Sequence, residues 1–483
     1  MVLNETTSNK KVKGRVLFIY PNCEGYGGLP NSLAILSGCL KGAGFETRCF
    51  DTTFLKSPPL SHFYRKKHGG FMDADHTKVW GEWTPELAKQ IPSMFEKTIE
   101  EFKPNLIAIN IADVTYHYAL ALLKDINKKY GVPVIAGGPT PTLSPDLFES
   151  ADCIDMLCIG EGEEALVELA EAIVEKRDYG NIKNLWVKKD RNFIKNTPRP
   201  LKNLDTIPFQ DWSIFDERHY YKPYCGKFWR TGFFETSRGC PFNCTYCCTA
   251  NLRQTYHGLG QFLRFRNIDK ALDEICAIKD QYKLELIFFI DDNFLGIPPE
   301  RFDYFCEQYK KRVNLPYYIQ TRAETVREDF VKMLLKTNVS TIALGIENGN
   351  EEYRRKYMNR FMSNEAIVKA FKIINKYKIR TTANVIIGMP YEEEKHFYDT
   401  VRLIQKAKPS SYSINYFQPY RGTKMREEAV RLGFIPKEHI ISESNTCLDM
   451  PQFPKDRIMH CYENFKKYVE NKIPIPIQYE KYS

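Results

Sequence analysis

Three cysteines within one short run constrain this chain more than any other feature. Cys240, Cys244 and Cys247 sit in Ser237-Arg238-Gly239-Cys240-Pro241-Phe242-Asn243-Cys244-Thr245-Tyr246-Cys247, a C-x3-C-x2-C spacing with Tyr246 just ahead of the last cysteine. Three thiolates on one loop suit three irons of a 4Fe–4S cube. Such a cube normally takes four thiolates. A local set of three leaves one iron open to a small molecule, which suits catalysis better than electron storage. Structural zinc and plain buried thiols are the competing readings. Zinc favours two C-x2-C pairs or a Cys/His mixture, whereas no second pair lies nearby and His257 is ten residues beyond Cys247. Free cysteine is commonly buried, and Cys248 reads as a packed neighbour, not a ligand.

Around this loop, short apolar runs alternate with helical patterns. Strands are expected at Phe233–Thr236, Leu286–Ile290, Tyr317–Gln320, Thr341–Gly345, Thr382–Ile387 and Tyr412–Phe417. Helices are expected between them, among them Ile268–Tyr282, Pro299–Arg312 and Asn364–Tyr377. Six βα units predict a parallel barrel-like sheet, whose chemistry belongs at the carboxyl ends of the strands. Polar residues fall at those ends: Asp291 and Asp292, then Arg322, then Glu347 in Gly345-Ile-Glu-Asn-Gly349, then Gly388 ahead of Met389-Pro390. Asp291 and Asp292 read equally well as turn caps, and Arg322 as a surface ion pair or a bidentate carboxylate clamp.

Residues 15 to about 180 repeat the alternation. Strands are expected at Arg15–Tyr20, Glu46–Asp51, Asn105–Ile111, Pro133–Ala136 and Met156–Ile159, with helices at Leu33–Gly44, Tyr116–Tyr130 and Glu163–Glu175. This pattern predicts a second α/β unit, a doubly wound parallel sheet covered on both faces. Ligands of such sheets sit at the strands' carboxyl ends. The loops there are glycine-rich: Pro21–Pro30, Gly137-Gly138-Pro139-Thr140-Pro141-Thr142 and Gly160-Glu161-Gly162-Glu163. Residues 55–85, with His62, Phe63, Tyr64, His68, Trp80 and Trp83, read as an insertion, either an aromatic lid or a surface excursion.

At 483 residues the chain is too long for one ordinary domain. The expected divisions are a polar tail at 1–14, the first α/β unit at 15–182, a connector at 183–230, the barrel at 231–425 and an extension at 426–483. No apolar run is long enough to span a membrane, and the polar N-terminus lacks a signal-peptide core. The fourteen cysteines then argue for a reducing, cytoplasmic setting rather than a disulfide framework. The net charge of +9 is mild for this length, and no nucleic-acid partner is expected.

The cysteine run resembles the signature of the radical S-adenosylmethionine (SAM) superfamily, and the resemblance continues in order over roughly residues 231 to 425. It implies that Cys240, Cys244 and Cys247 ligate a 4Fe–4S cluster whose open iron binds SAM. It further implies that the reduced cluster cleaves SAM to a 5′-deoxyadenosyl radical. By the same resemblance Tyr246, Asp291, Asp292, Arg322, Glu347 and Gly388 line the SAM site, and Pro419-Tyr420-Arg421-Gly422-Thr423 closes the sixth unit.

The first unit resembles the cobalamin-binding domain that precedes many radical SAM domains. The likeness rests on the 137–142 loop, the 160–163 turn and the helix containing Thr115-Tyr116-His117-Tyr118. Arg199-Pro200-Leu201 and Leu204–Phe209 extend it. Gly137, Gly138, Thr140, Gly160 and Glu161 are the implied cobalamin contacts. One departure is plain: the D-x-H-x-x-G histidine found in many cobalamin domains is missing from Pro21–Tyr26, where Cys23 is the one thiol. The implied function is a cobalamin-dependent methyltransferase acting on an unactivated carbon, reduced by a donor such as flavodoxin or ferredoxin. Two alternatives stand beside it, a non-methylating radical SAM oxidoreductase or cyclase and a cobalamin- or redox-sensing binding protein.

Overall fold

The computed structural model describes residues 12–58, 74–189, 192–441 and 447–482. Its first sheet contains β1 (Arg15–Tyr20), β2 (Glu46–Asp51), β3 (Leu106–Asn110), β4 (Val134–Gly137), β5 (Met156–Cys158), β6 (Leu185–Lys189) and β7 (Asn192–Lys195), in the order β2-β1-β3-β4-β5-β6-β7. The first five strands are parallel, and β6 and β7 add antiparallel. Alternation along β1 sets both faces. Val16 and Phe18 pack with Leu33 and Leu166, while Leu17 and Ile19 pack with Phe95, Ile99 and Leu123. From β1 the chain turns to β2 on one side and returns to β3 on the other. That reversal opens a crevice at the strand ends, where doubly wound sheets hold ligands.

The second sheet contains β8 (Tyr221–Tyr224), β9 (Lys227–Phe234), β12 (Leu286–Phe289), β13 (Tyr317–Arg322), β14 (Val339–Glu347), β15 (Arg380–Ile387) and β16 (Ser411–Tyr416). Its order is β16-β15-β14-β13-β12-β9-β8. From β9 to β16 all strands are parallel, and β8 pairs antiparallel with β9. The result is an open half-barrel of six βα units. A small clip, β10 (Ser237–Arg238) against β11 (Arg264–Phe265), closes over the cysteine loop.

Residues 183–230, expected as a connector, carry strands of both sheets. Trp212, 1% exposed, stacks on Tyr220 and Phe234 and helps merge one face of the first sheet with the barrel into a continuous core. The helix expected over Tyr116–Tyr130 breaks into Tyr116–Leu123 and Ile126–Tyr130, because Asp125 takes a left-handed backbone (φ 61°). An 18-residue helix, Pro85–Phe102, buries Ile91, Phe95, Ile99 and Phe102 at helical spacing despite an internal Pro92.

Of the aromatic insertion, His62, Phe63, Tyr64 and His68 lie outside the described residues. Trp80 is buried against Tyr26 and Phe54, and its ring N–H donates to the Arg218 carbonyl at 3.0 Å. Trp83 donates to the Leu55 carbonyl. In the extension, the helix Lys455–Val469 packs Phe465 and Tyr468 on Phe397 of the helix Glu394–Ala407. Among the described residues no helix is long and apolar enough to cross a membrane.

Candidate active site

The cysteine loop leaves the end of β9 and is tied down from several sides. The Asp291 carboxylate, 2% exposed, accepts from the Thr236 N–H, the Thr236 hydroxyl and the Ser237 hydroxyl at 2.6–3.1 Å. Of the two readings of Asp291, a SAM contact or a turn cap, its hydrogen bonds match the second: they anchor the entry to the loop. Asn359 Nδ2 donates to the Asn243 carbonyl and Thr245 Oγ1 to the Tyr357 carbonyl, fastening the loop to the segment after β14. Cys247 then caps the helix Cys248–Thr255. Cys248 is the first residue of that helix, and burial pushes its thiol up to about 12.

Cys244 is buried at 7% exposure and faces two guanidinium groups. Arg322 Nη1 donates to its sulfur at 3.0 Å, and Arg360 Nη1 lies 3.9 Å from it. Arg322, read as a carboxylate clamp or a surface ion pair, is buried and held by Glu324 through Nε (3.0 Å) and Nη2 (2.5 Å), and it stacks over Phe242. Arg360, 3% exposed, donates to the Tyr246 hydroxyl (3.1 Å) and the Gly345 carbonyl (2.5 Å). Glu347 Oε1 lies 3.9 Å away. Burial pushes the Glu347 carboxyl up while Arg360 draws it down. The structure thus brings Cys244, Tyr246, Arg322 and Glu347 together and adds Arg360, which no motif announced.

Two further turns complete this end of the barrel. Asn293 Oδ1 accepts from the Thr321 hydroxyl and the Arg322 N–H, tying the end of β12 to that of β13. Glu392, buried, accepts from the N–H groups of Gly388 and Met389 and from Asn348 Nδ2. Burial raises its carboxyl to about 8. It joins the Glu347 turn to the Gly388 turn and was missed in the sequence. Asp292 is exposed and, among the described residues, its carboxylate accepts from the Thr249 hydroxyl at 3.5 Å.

At the ends of the first sheet lies a cavity of about 370 Å³. Leu33, Ile35, Ala108, Ile135 and Leu166 supply apolar walls and Gly137 and Gly138 part of the lining; Glu235, Arg238 and Ile290 of the barrel domain close it. Gly138 has φ 103°, and a Cβ there would come within 3.0 Å of Asn110 Oδ1 and the Ile111 carbonyl. Thr140, expected to face a ligand, is 1% exposed and donates to Asp113 Oδ1 at 2.6 Å. Cys23 is half-buried and donates to the Val114 carbonyl.

Gly160 and Glu161 also have a role that sequence spacing did not suggest. A Cβ on Gly160 would overlap the Tyr256 hydroxyl, to which the Glu161 N–H donates at 2.5 Å. The Glu161 carboxylate pairs with Arg264 and lies 3.4 Å from Arg238. Arg238 also binds Glu163 and Glu235, both at 2.6 Å. Burial works against the Glu163 charge, but Arg238 holds its pKa below the ordinary carboxylate value. The Gly160–Glu163 turn is therefore a clasp onto the barrel as well as a wall of the cavity.

The donor set fits an iron–sulfur cube. All fourteen cysteines are free thiols. Cys240, Cys244 and Cys247 are thiols of one loop, and a cube takes one thiolate per iron. Of the two buried guanidinium groups beside the Cys244 sulfur, Arg322 is paired with Glu324, whereas Arg360 has no carboxylate hydrogen-bonded to it, and an anionic cluster would balance that charge. The apolar cavity with its glycine approach fits part of a large, mostly uncharged ring system such as cobalamin.

Comparison with known proteins agrees. The profile of the radical SAM superfamily matches residues 234–404 and that of the B12 binding domain residues 86–170. An uncharacterized methyltransferase of Pyrococcus horikoshii is 26% identical over 69% of this chain and 71% of its own length. Cytidylyl-2-hydroxyethylphosphonate methyltransferase of Streptomyces wedmorensis is 24% identical over 85% and 79%. An anaerobic magnesium-protoporphyrin IX monomethyl ester cyclase of Rubrivivax gelatinosus is 24% identical over 86% and 70%. The solved structure of the radical SAM methyltransferase TsrM from Kitasatospora setae shares the fold, with a TM-score of 0.65 at 16% identity over 87% of this chain and 77% of that one. A 4Fe–4S cluster and SAM are the cofactors of the one domain and cobalamin that of the other. The chain belongs to the radical SAM enzymes that carry a B12-binding domain.

Proposed function

We propose that this enzyme transfers a methyl group to an unactivated carbon, using cobalamin as the methyl carrier. One contact carries the reading. Gly422 packs between Leu143, which follows the Gly137–Thr142 loop, and Asn251, in the helix that starts directly after Cys247. The segments next to the loops assigned to the two cofactors are therefore neighbours, which supports a reaction that uses both. When bound, the reduced cluster and SAM supply a carbon-centred radical and cobalamin supplies the methyl group.

The chain's part is to hold and enclose. Cys240, Cys244 and Cys247 would hold the cluster. Tyr246, Arg322, Glu347 and the backbone at Gly388 would surround SAM, with Asp292 at the rim. Gly137, Gly138 and Gly160 would let backbone approach the cobalamin. Thr140, Glu161 and Asp291 would act as positioning residues behind these loops. Rigid strand ends on both sides make the reacting geometry a property of the fold. The cobalamin unit runs in this reading from residue 15 through β7, and the radical unit from β8 to about residue 425. The relatives named methyltransferases support methyl transfer. The relative named a cyclase favours, as the second reading, a radical rearrangement without it. The free thiols fit a cytoplasmic setting and a low-potential flavodoxin or ferredoxin as reductant.

Anaerobic reconstitution with iron, sulfide and hydroxocobalamin tests this. About four irons and one cobalt per chain are expected. Reduction with SAM should then give S-adenosylhomocysteine together with the absorbance of methylcobalamin. 5′-Deoxyadenosine without S-adenosylhomocysteine would move the assignment to the second reading. Neither product from a loaded protein would leave only a binding function.

A further inference from the structure

Beside the cysteine loop lies one buried cation, Arg360, that has no carboxylate hydrogen-bonded to it. Both Arg322 and Arg360 face Cys244, but their surroundings differ. Arg322 has Glu324 on two of its nitrogens. Arg360 donates to two neutral oxygens, the Gly345 carbonyl and the Tyr246 hydroxyl, and the Glu347 carboxylate stops 3.9 Å short of it. Among the described residues its Nε, also buried, has no acceptor. A guanidinium does not shed its proton in a protein. Burying such a charge without a full partner is costly, so this position makes physical sense beside a permanent anion.

The segment that carries Arg360 is not free to withdraw. Asn359 and the Tyr357 carbonyl are hydrogen-bonded to the cysteine loop at Asn243 and Thr245. Arg360 itself closes the bridge, joining the loop at Tyr246 to the end of β14 at Gly345. The planar fork lets one side chain span both acceptors while its charge stays near the Cys244 sulfur.

We infer that Arg360 is a positioning residue that sets the reduction potential of the cluster, through a fixed positive charge beside the Cys244 thiolate. The inference rests on the radical SAM reading above. Reduction adds one electron, delivered by the external donor, and hence one negative charge to the cluster. A cation held a few ångströms from a ligating sulfur stabilises that form more than the oxidised one. Charge and hydrogen bonding around the sulfurs are established levers on such potentials. Arg360 therefore raises the potential and eases reduction, whereas the charge of Arg322 is offset by Glu324.

The test is a potentiometric titration of the reconstituted full-length protein, followed by the electron paramagnetic resonance signal of the reduced cluster, without SAM. Arg360→Met should keep its iron and titrate at a more negative potential than the parent. Arg360→Lys should stay close to the parent. Glu324→Gln, which frees the Arg322 charge, should shift the other way. Should Arg360→Met not retain iron, Arg360→Gln, which keeps hydrogen-bond donors and drops only the charge, is expected to show the same negative shift. An unchanged potential in an iron-replete Arg360→Met or Arg360→Gln protein would overturn the inference while leaving the radical SAM assignment intact. A parent protein that binds no cluster would instead overturn the assignment itself.

Discussion

The two sets of strand ends that face each other across this molecule are built on opposite terms. At the barrel, ionisable groups are buried: Arg322, Arg360 and Glu392 lie at 7%, 3% and 1% exposure, and they contact a thiol, a phenol and backbone. At the first sheet the cavity is mainly apolar and glycine-lined, and its carboxylates, Glu161 and Glu163, reach to arginines of the other domain. The barrel end is prepared by charge and the first by shape. The difference teaches which perturbations each half should notice.

The largest effect should come from Cys244→Ala. It should lower the iron content and abolish SAM cleavage while cobalt per chain stays at the parent level, by metal analysis of the same reconstituted sample. Loss of cobalt as well would break the comparison, because the halves would then not load independently. Arg238→Ala strikes the seam between them and leaves Glu163 and Glu235 buried without their partner. A stability loss of about 3–5 kcal/mol is expected, read as a lower denaturation midpoint. Gly138→Ala forces a side chain into a left-handed backbone against Asn110. Strain of about 1–3 kcal/mol should weaken cobalamin binding in equilibrium dialysis with the iron content unchanged.

The last effect concerns pH. The Glu392 carboxyl is raised by burial to about 8 in the folded protein. Its contribution to stability is therefore complete below the ordinary carboxylate value and is lost as pH rises towards 8. Melting temperature should fall across this window in the parent and stay flatter in Glu392→Gln. Parallel profiles would show that the buried carboxyl does not titrate with folding.

Much of this was legible in the chain. Local periodicity located β1 and β2 and the helices Ile268–Tyr282 and Pro299–Arg312 to the residue. The cysteine spacing located the loop because its ligands are neighbours in sequence. What stayed hidden depends on partners far along the chain. Arg238 meets Glu163 across 75 residues, and Arg360 meets Tyr246 across 114. Neither pairing leaves a local pattern. Asp291 and Thr140 were legible as polar strand-end residues, but only packing decides whether such a group faces a ligand or a neighbouring loop. The antiparallel additions β6, β7 and β8 were read as linker because short mixed strands such as Tyr221–Tyr224, with its internal Pro223, carry weak strand signals.

The cavity at the first sheet has a consequence for how the protein is made. Its floor comes from residues 18–166, but its remaining wall is Glu235, Arg238 and Ile290. During synthesis the amino-terminal sheet leaves the ribosome with that side open. A ligand held against all of these walls is seated only once the first two barrel strands have emerged and docked. The order of the domains along the chain thereby becomes an order of events, with the second half acting as the door to a room the first half has already furnished.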